Sequence, residues 1–116
     1  MILYAFVPML PVLGQPIKKL RGNIMIRKHI IVHGRVQGVG FRYIASSIAA
    51  GFHVTGWVRN QYDGTVEIEV QGADHRVALF LQEIRQGNRF ARVDKLDVCD
   101  IETVSVEKEK DFRIKY

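Results

Sequence analysis

Ten consecutive residues, His33 to Arg42, hold three glycines, a glutamine and two arginines, a mixture suited to gripping an oxyanion. They lead from the apolar run Ile30-Ile31-Val32 into a segment with helical spacing, so the glycines fall between a predicted strand and the start of a predicted helix. Glycine lets a backbone turn tightly and approach a ligand. A helix start leaves amide N–H groups unpaired at its positive end, which suits an anion. Arg42, in the first turn, adds a planar fork of donors that matches phosphoryl oxygens. The candidate cradle therefore comprises the backbone amides of Gln37, Gly38, Val39, Gly40 and Phe41 together with the Arg42 side chain. Two other phosphate motifs do not fit: a P-loop ends in Gly-Lys-Ser/Thr, and a dinucleotide fingerprint needs glycine where Tyr43 stands. An ordinary glycine-rich turn with a surface arginine is the competing reading.

A phosphoryl group held there is hydrolysed only by a water in line with the leaving group. Asn60, with one acceptor and two donors, can orient such a water. Asparagine also favours turns, so turn entry is its plain alternative. Phosphoryl transfer depends mostly on positioning and charge stabilisation, and a neutral orienting residue can suffice. No acid is placed to protonate a departing group. That selects a leaving group stable as an anion, such as a carboxylate. No side chain is an evident general base, so the residues themselves leave the proton acceptor open. The scheme uses no metal, no cofactor and no covalent intermediate.

The elements that must position these residues follow from periodicity. Arg27 to His33 reads as a first strand. Phe41, Ile44, Ala45, Ile48 and Ala49 form one helical face, with Gly51 as a stop. Val54 to Asn60 and Thr65 to Val70 alternate as half-buried strands, and Gln61-Tyr62-Asp63-Gly64 between them predicts an antiparallel hairpin. Asp74 caps a second helix carrying Val77, Phe80, Leu81 and Ile84 on one face, ending at Gly87. Val93 to Ile101, with a bulge, and Phe112 to Tyr116 complete the strands. The order β-α-β-β-α-β with a terminal strand gives an α+β sandwich of ferredoxin-like type, an antiparallel sheet with two helices on one face.

Other chemistry-bearing residues are read as structural. Glu67 and Glu69 are expected as solvated charges on an outward strand face. His29, His33, His53 and His75 form no ligand cluster, so no metal site is expected. Ser46 and Ser47 lie inside the first helix without triad partners. Cys99, the single cysteine, is expected as a packed or edge thiol and points to a reducing, cytoplasmic setting.

The 116-residue chain is long enough for one domain with a real core, and its hydrophobic share of 47% and charged share of 25% are ordinary. Its net charge of +5 is unevenly spread: every carboxylate lies at Asp63 or later, and the residues before it carry eight Lys or Arg. Such a field favours anionic partners. Nucleic acid is the rival anion, but the third strand has none of the aromatics an RNA-binding sheet displays. Residues 1–24 fit neither a secretory signal nor a membrane span. They are expected as a disordered or adventitious extension, with Met25 as the functional start of a domain over residues 25–116.

The run Gly34-x-Val36-Gln37-Gly38-Val39-x-Phe41-Arg42, followed by Gly56-Trp57-Val58-Arg59-Asn60 and Asp63-Gly64-Thr65-Val66-Glu67, resembles the acylphosphatase family. The resemblance runs from about Met25 to Tyr116, including the aromatic-ended final strand. It implies hydrolysis of acyl phosphates to a carboxylate and inorganic phosphate, with Arg42 matching the family's phosphate-binding arginine and Asn60 its water-orienting asparagine. The partner expected is a small acyl phosphate, with no specific nucleic acid and no membrane span, for a monomeric protein.

Overall fold

The computed structural model describes residues 24–116. Apart from Ile24, the expected extension lies outside the described residues. The elements run β1 (Met25–Arg35), α1 (Phe41–Phe52), β2 (Thr55–Asn60), β3 (Val66–Ala73), α2 (Asp74–Gln86), β4 (Arg92–Ile101) and β5 (Phe112–Ile114). They form one five-stranded sheet in the order β4-β1-β3-β2-β5. The first four strands pair antiparallel, which is the predicted ferredoxin-like arrangement. β5 departs from expectation by running parallel to β2, so the sheet is mixed.

The path of the chain explains that exception. β4 ends at Ile101 opposite Arg27, at the end of the sheet where β2 begins. The segment 102–111 then crosses the sheet, tied down by Arg27 to Glu109 and by reciprocal bonds between Gln71 and the Val104 backbone. It delivers β5 beside Gly56, at the start of β2, so the two strands run the same way.

Alternation along the strands sends Ile30, Val32, Val58, Val66, Ile68 and Val70 to the inner face, each fully buried. Phe41, Ala45 and Ala49 of α1 and Val77, Phe80 and Ile84 of α2 close over them. Small residues on α1 let it lie close to the sheet, and Phe80 meets Phe112 at 5.8 Å between ring centroids. This burial is the main force holding the sandwich together.

The helix ends differ in detail from expectation. α1 continues through Gly51 to Phe52, and His53 takes the left-handed cap at φ 57°, its amide donating back to the last turn. α2 starts at Asp74 itself, with Ala73 as cap; the carboxylate accepts the His75 amide at 2.7 Å within the first turn. The expected bulge in β4 is present: His33 faces Lys95 and Gly34 faces Val93, leaving Asp94 as the extra residue. Gly34 is set by that bulge, because a Cβ there would stand 2.1 Å from the Arg92 carbonyl oxygen.

Candidate active site

The loop from Val36 to Gly40 joins β1 to α1. Val36, 1% exposed, anchors it in the core. Gly38 and Gly40 have φ values of 74° and 77°, in the left-handed region, yet a Cβ on either would meet nothing within 4 Å. Backbone conformation, and not space, therefore demands glycine at both. Gly40 caps α1 through its carbonyl, which accepts the amides of Tyr43 and Ile44 at 3.1 Å each. No side chain caps this helix and no acid sits in its first turn. Its positive end is left for an external anion.

Among the described residues, neither Arg35 nor Arg42 is in an ion pair. Arg42 instead lies over the ring of Tyr116, 4.9 Å from its centroid. That stacking steadies the guanidinium while leaving its edge donors for a ligand. The neighbouring Tyr43 phenol pushes the Tyr116 phenol pKa up.

Asn60 is the last residue of β2, paired with Val66. Its Oδ1 is buried and has no hydrogen-bond partner among the protein atoms. Such an atom is uncommon in a folded protein and calls for an explanation, a bound water being the simplest. Asn60 lines an open pocket of about 580 Å³ with Arg59, Gln61, Tyr62, Asp63 and Tyr116. The turn below is stiff. Asp63 Oδ1 accepts from the Thr65 amide at 3.0 Å and its hydroxyl at 2.6 Å, which holds the Asp63 carboxyl below its usual pKa.

Loop and hairpin are joined by Gln37, whose Nε2 donates to the carbonyls of Gln61 at 2.7 Å and Thr65 at 2.8 Å. Of the residues singled out in the sequence, Gln37 thus sits against the Asn60 hairpin, and Arg42 touches a wall of the Asn60 pocket through Tyr116. Gly38 and Val39 open instead to a second depression of about 430 Å³, shared with Arg35, Arg89 and Phe90. Phe41 is core, 2% exposed, so its side chain is turned away from the loop's open side. The side-chain role of Gln37 and the place of Tyr116 were not foreseen; the aromatic end of the final strand was the signal for the latter.

The outer sheet face corrects the expectation for the glutamates. Glu67 is 12% exposed and accepts from His29 at 2.7 Å, Arg59 at 2.7 Å and Gln61 at 3.2 Å. Burial alone would raise its pKa, but the bonds from His29 and Arg59 outweigh this and lower it. Glu69 binds Arg27, which is 3% exposed beneath segment 102–111 and also grips Glu109 and Gln71. The fold lays the basic first half of the chain against the acidic second half, so charges far apart in sequence pair here. This face carries a charged network on β1 and β3 where an RNA-binding sheet would display aromatics. Cys99 is exposed on the edge strand β4. Among the described residues, no group of three or more His, Cys, Asp or Glu is placed to hold a metal ion. Nor is any described helix long and apolar enough to cross a membrane.

A ferredoxin-like α+β sandwich with a glycine loop at the start of its first helix is the class that the fold defines. The acylphosphatase family model matches residues 28–114, and the chain belongs to that family. It is 48% identical over 92 residues to the acylphosphatase of Clostridium beijerinckii, covering 79% of this chain and 100% of that one. The acylphosphatase of Geobacillus kaustophilus is 49% identical over 92 residues, covering 79% of this chain and 96% of the relative. The crystal structure of acylphosphatase from Bacillus subtilis superposes with a TM-score of 0.73 at 36% identity, over 78% of this chain and 99% of that chain.

Proposed function

We propose that this chain hydrolyses the carboxyl–phosphate bond of acyl phosphates by in-line attack of water on phosphorus, with the phosphoryl group held by the Gln37–Phe41 backbone and Arg42. The observation that carries the site assignment is the buried, partnerless Oδ1 of Asn60 beside the loop. An acceptor kept out of bulk water without a protein donor is matched to a water molecule, and orienting that water is the task the reaction requires.

In this scheme the loop amides and the Arg42 guanidinium surround the phosphoryl oxygens. Each charge-assisted bond contributes about 1.5 to 3 kcal/mol. Asn60 accepts one hydrogen of the attacking water and turns its lone pair towards phosphorus. As the new P–O bond forms, the acyl P–O bond breaks and its electron pair leaves on the carboxylate, which needs no protonation. A phosphoryl oxygen of the substrate accepts the proton of the attacking water, since none of the site residues is an evident base. Positioning and charge stabilisation then supply the catalysis.

We take the working enzyme to be a cytoplasmic monomer, in keeping with one exposed thiol on the sheet edge, and its domain to be residues 25–116. The described fold adds Ile24, whose carbonyl accepts the Asp74 amide at 3.0 Å at the start of α2. The test is hydrolysis of benzoyl phosphate in excess chelator by the wild type and by Arg42→Ala, with spontaneous loss subtracted. Turnover in the wild type, lost in a folded Arg42→Ala protein, is the expected result. A folded wild type without turnover would reduce the cradle to a binding site.

A further inference from the structure

The Gln37 side chain leaves the cradle and ends on the β2–β3 hairpin, where both N–H donors of its carboxamide are used, on Gln61 O at 2.7 Å and Thr65 O at 2.8 Å. These carbonyls close the turn. The Gln61 amide donates to Thr65 O at 2.9 Å and the Gly64 amide to Gln61 O at 3.2 Å. Each carbonyl oxygen thus accepts one bond from the turn itself, and Gln37 occupies its second lone pair. Asn60 immediately precedes Gln61 and pairs with Val66, which immediately follows Thr65. Gln37 therefore grips the hairpin one residue beyond Asn60 on both strands. The β1–β3 ladder does not extend that far, since it ends at Val32 opposite Val66.

We propose that Gln37 is a positioning residue whose carboxamide fixes the separation and angle between the anion cradle and Asn60. This rests on the reaction proposed above and adds a cause for its geometry. Glutamine suits the place for three reasons. A glutamate would turn a carboxylate on two carbonyl oxygens, asparagine is one methylene too short to span both, and an apolar side chain would leave the loop untied. Arg42 and its Tyr116 contact do not replace the clamp, because they hold the phosphate-binding charge and not Asn60. With the cradle backbone and Arg42 intact, loss of the clamp disturbs the line of attack while phosphate still binds. A displacement of about 1 Å in a reacting group can cost on the order of 100-fold in rate.

The experiment is a double-mutant cycle of Gln37→Met with Asn60→Ala, reading kcat on benzoyl phosphate and inhibition by inorganic phosphate. Gln37→Met alone is expected to lower kcat by roughly 10- to 100-fold, with the phosphate inhibition constant changed less than about twofold. In the Asn60→Ala background the same change should lower kcat less than about twofold, because the water it serves to place is no longer held. Should Gln37→Met not fold, Gln37→Asn takes its place in the cycle with the same expectation. An undiminished effect of Gln37 in the Asn60→Ala background would overturn the proposal while leaving the reaction standing, as would a loss of phosphate affinity in step with kcat. A wild type without turnover, or a fully active Asn60→Ala, would overturn the proposed function and this inference together.

Discussion

Replacing Asn60 by alanine should lower activity with little change in stability. The residue keeps an acceptor, Oδ1, buried without a protein partner. Left unsatisfied, a buried acceptor costs a fold about 1 to 3 kcal/mol; with a water held on it the cost is about 0 to 2 kcal/mol. Truncation to alanine removes that cost and forfeits dispersion contacts of the lost carboxamide, worth on the order of 1 kcal/mol at a half-buried site. The difference lies between about 1 kcal/mol lost, where water fills the acceptor, and about 2 kcal/mol gained, where none does. For a domain of this size each 1 kcal/mol moves Tm by roughly 4 to 8 °C. The strand pairing of residue 60 with Val66 uses backbone atoms and survives the change. Turnover should meanwhile fall about 100- to 1,000-fold, as when one catalytic hydrogen-bonding group is removed elsewhere. Urea and thermal unfolding beside steady-state hydrolysis of benzoyl phosphate read both quantities on one preparation. An Asn60→Ala protein that keeps its kcat would refute the reasoning, and one that also melts more than about 8 °C lower would make Asn60 a structural turn residue.

Two further outcomes follow from the same geometry. Gly38→Ala should fold, because its Cβ enters open space, but should be strained at φ 74° by about 1 to 2 kcal/mol and bind phosphate more weakly. Gly34→Ala should fail to fold or lose the bulge, because its Cβ would meet the Arg92 carbonyl at 2.1 Å; circular dichroism and phosphate inhibition separate the two, and equal behaviour would contradict the distinction. The second concerns pH. The folded pKa of Glu67 lies below its ordinary value of 4.5, so the unfolded chain takes up this proton first as pH falls. Its contribution to stability is present above that ordinary value and is lost as pH drops through the lower folded one. Glu67→Gln should flatten the acid limb of a stability–pH curve measured in urea, and an unchanged limb would show that the network contributes nothing there.

The apolar periodicity carried most of this fold, because each helix and strand buries one face against a single core. The positions of Phe41, Ala45 and Ala49 on α1 and of Val66, Ile68 and Val70 on β3 can be read from spacing alone. What could not be read depends on contacts between distant parts of the chain. Glu67 and Glu69 look solvated in their own strand; Arg27, His29 and Arg59 from other strands make them an ion network. The parallel entry of β5 depends on where segment 102–111 crosses, which no local signal records. At the site, the glycine pattern and Arg42 announced an anion cradle. The Gln37 clamp joins residues 24 and 28 positions apart, and only folding brings them together.

The most direct test of the central claim is a hydrolysis run in water enriched in oxygen-18, with the products weighed by mass spectrometry. Attack on phosphorus within the cradle predicts one labelled oxygen in the inorganic phosphate and none in the carboxylate. Label in the carboxylate would mean that water attacks the carbonyl carbon, and the roles assigned to the loop, Arg42 and Asn60 would be wrong.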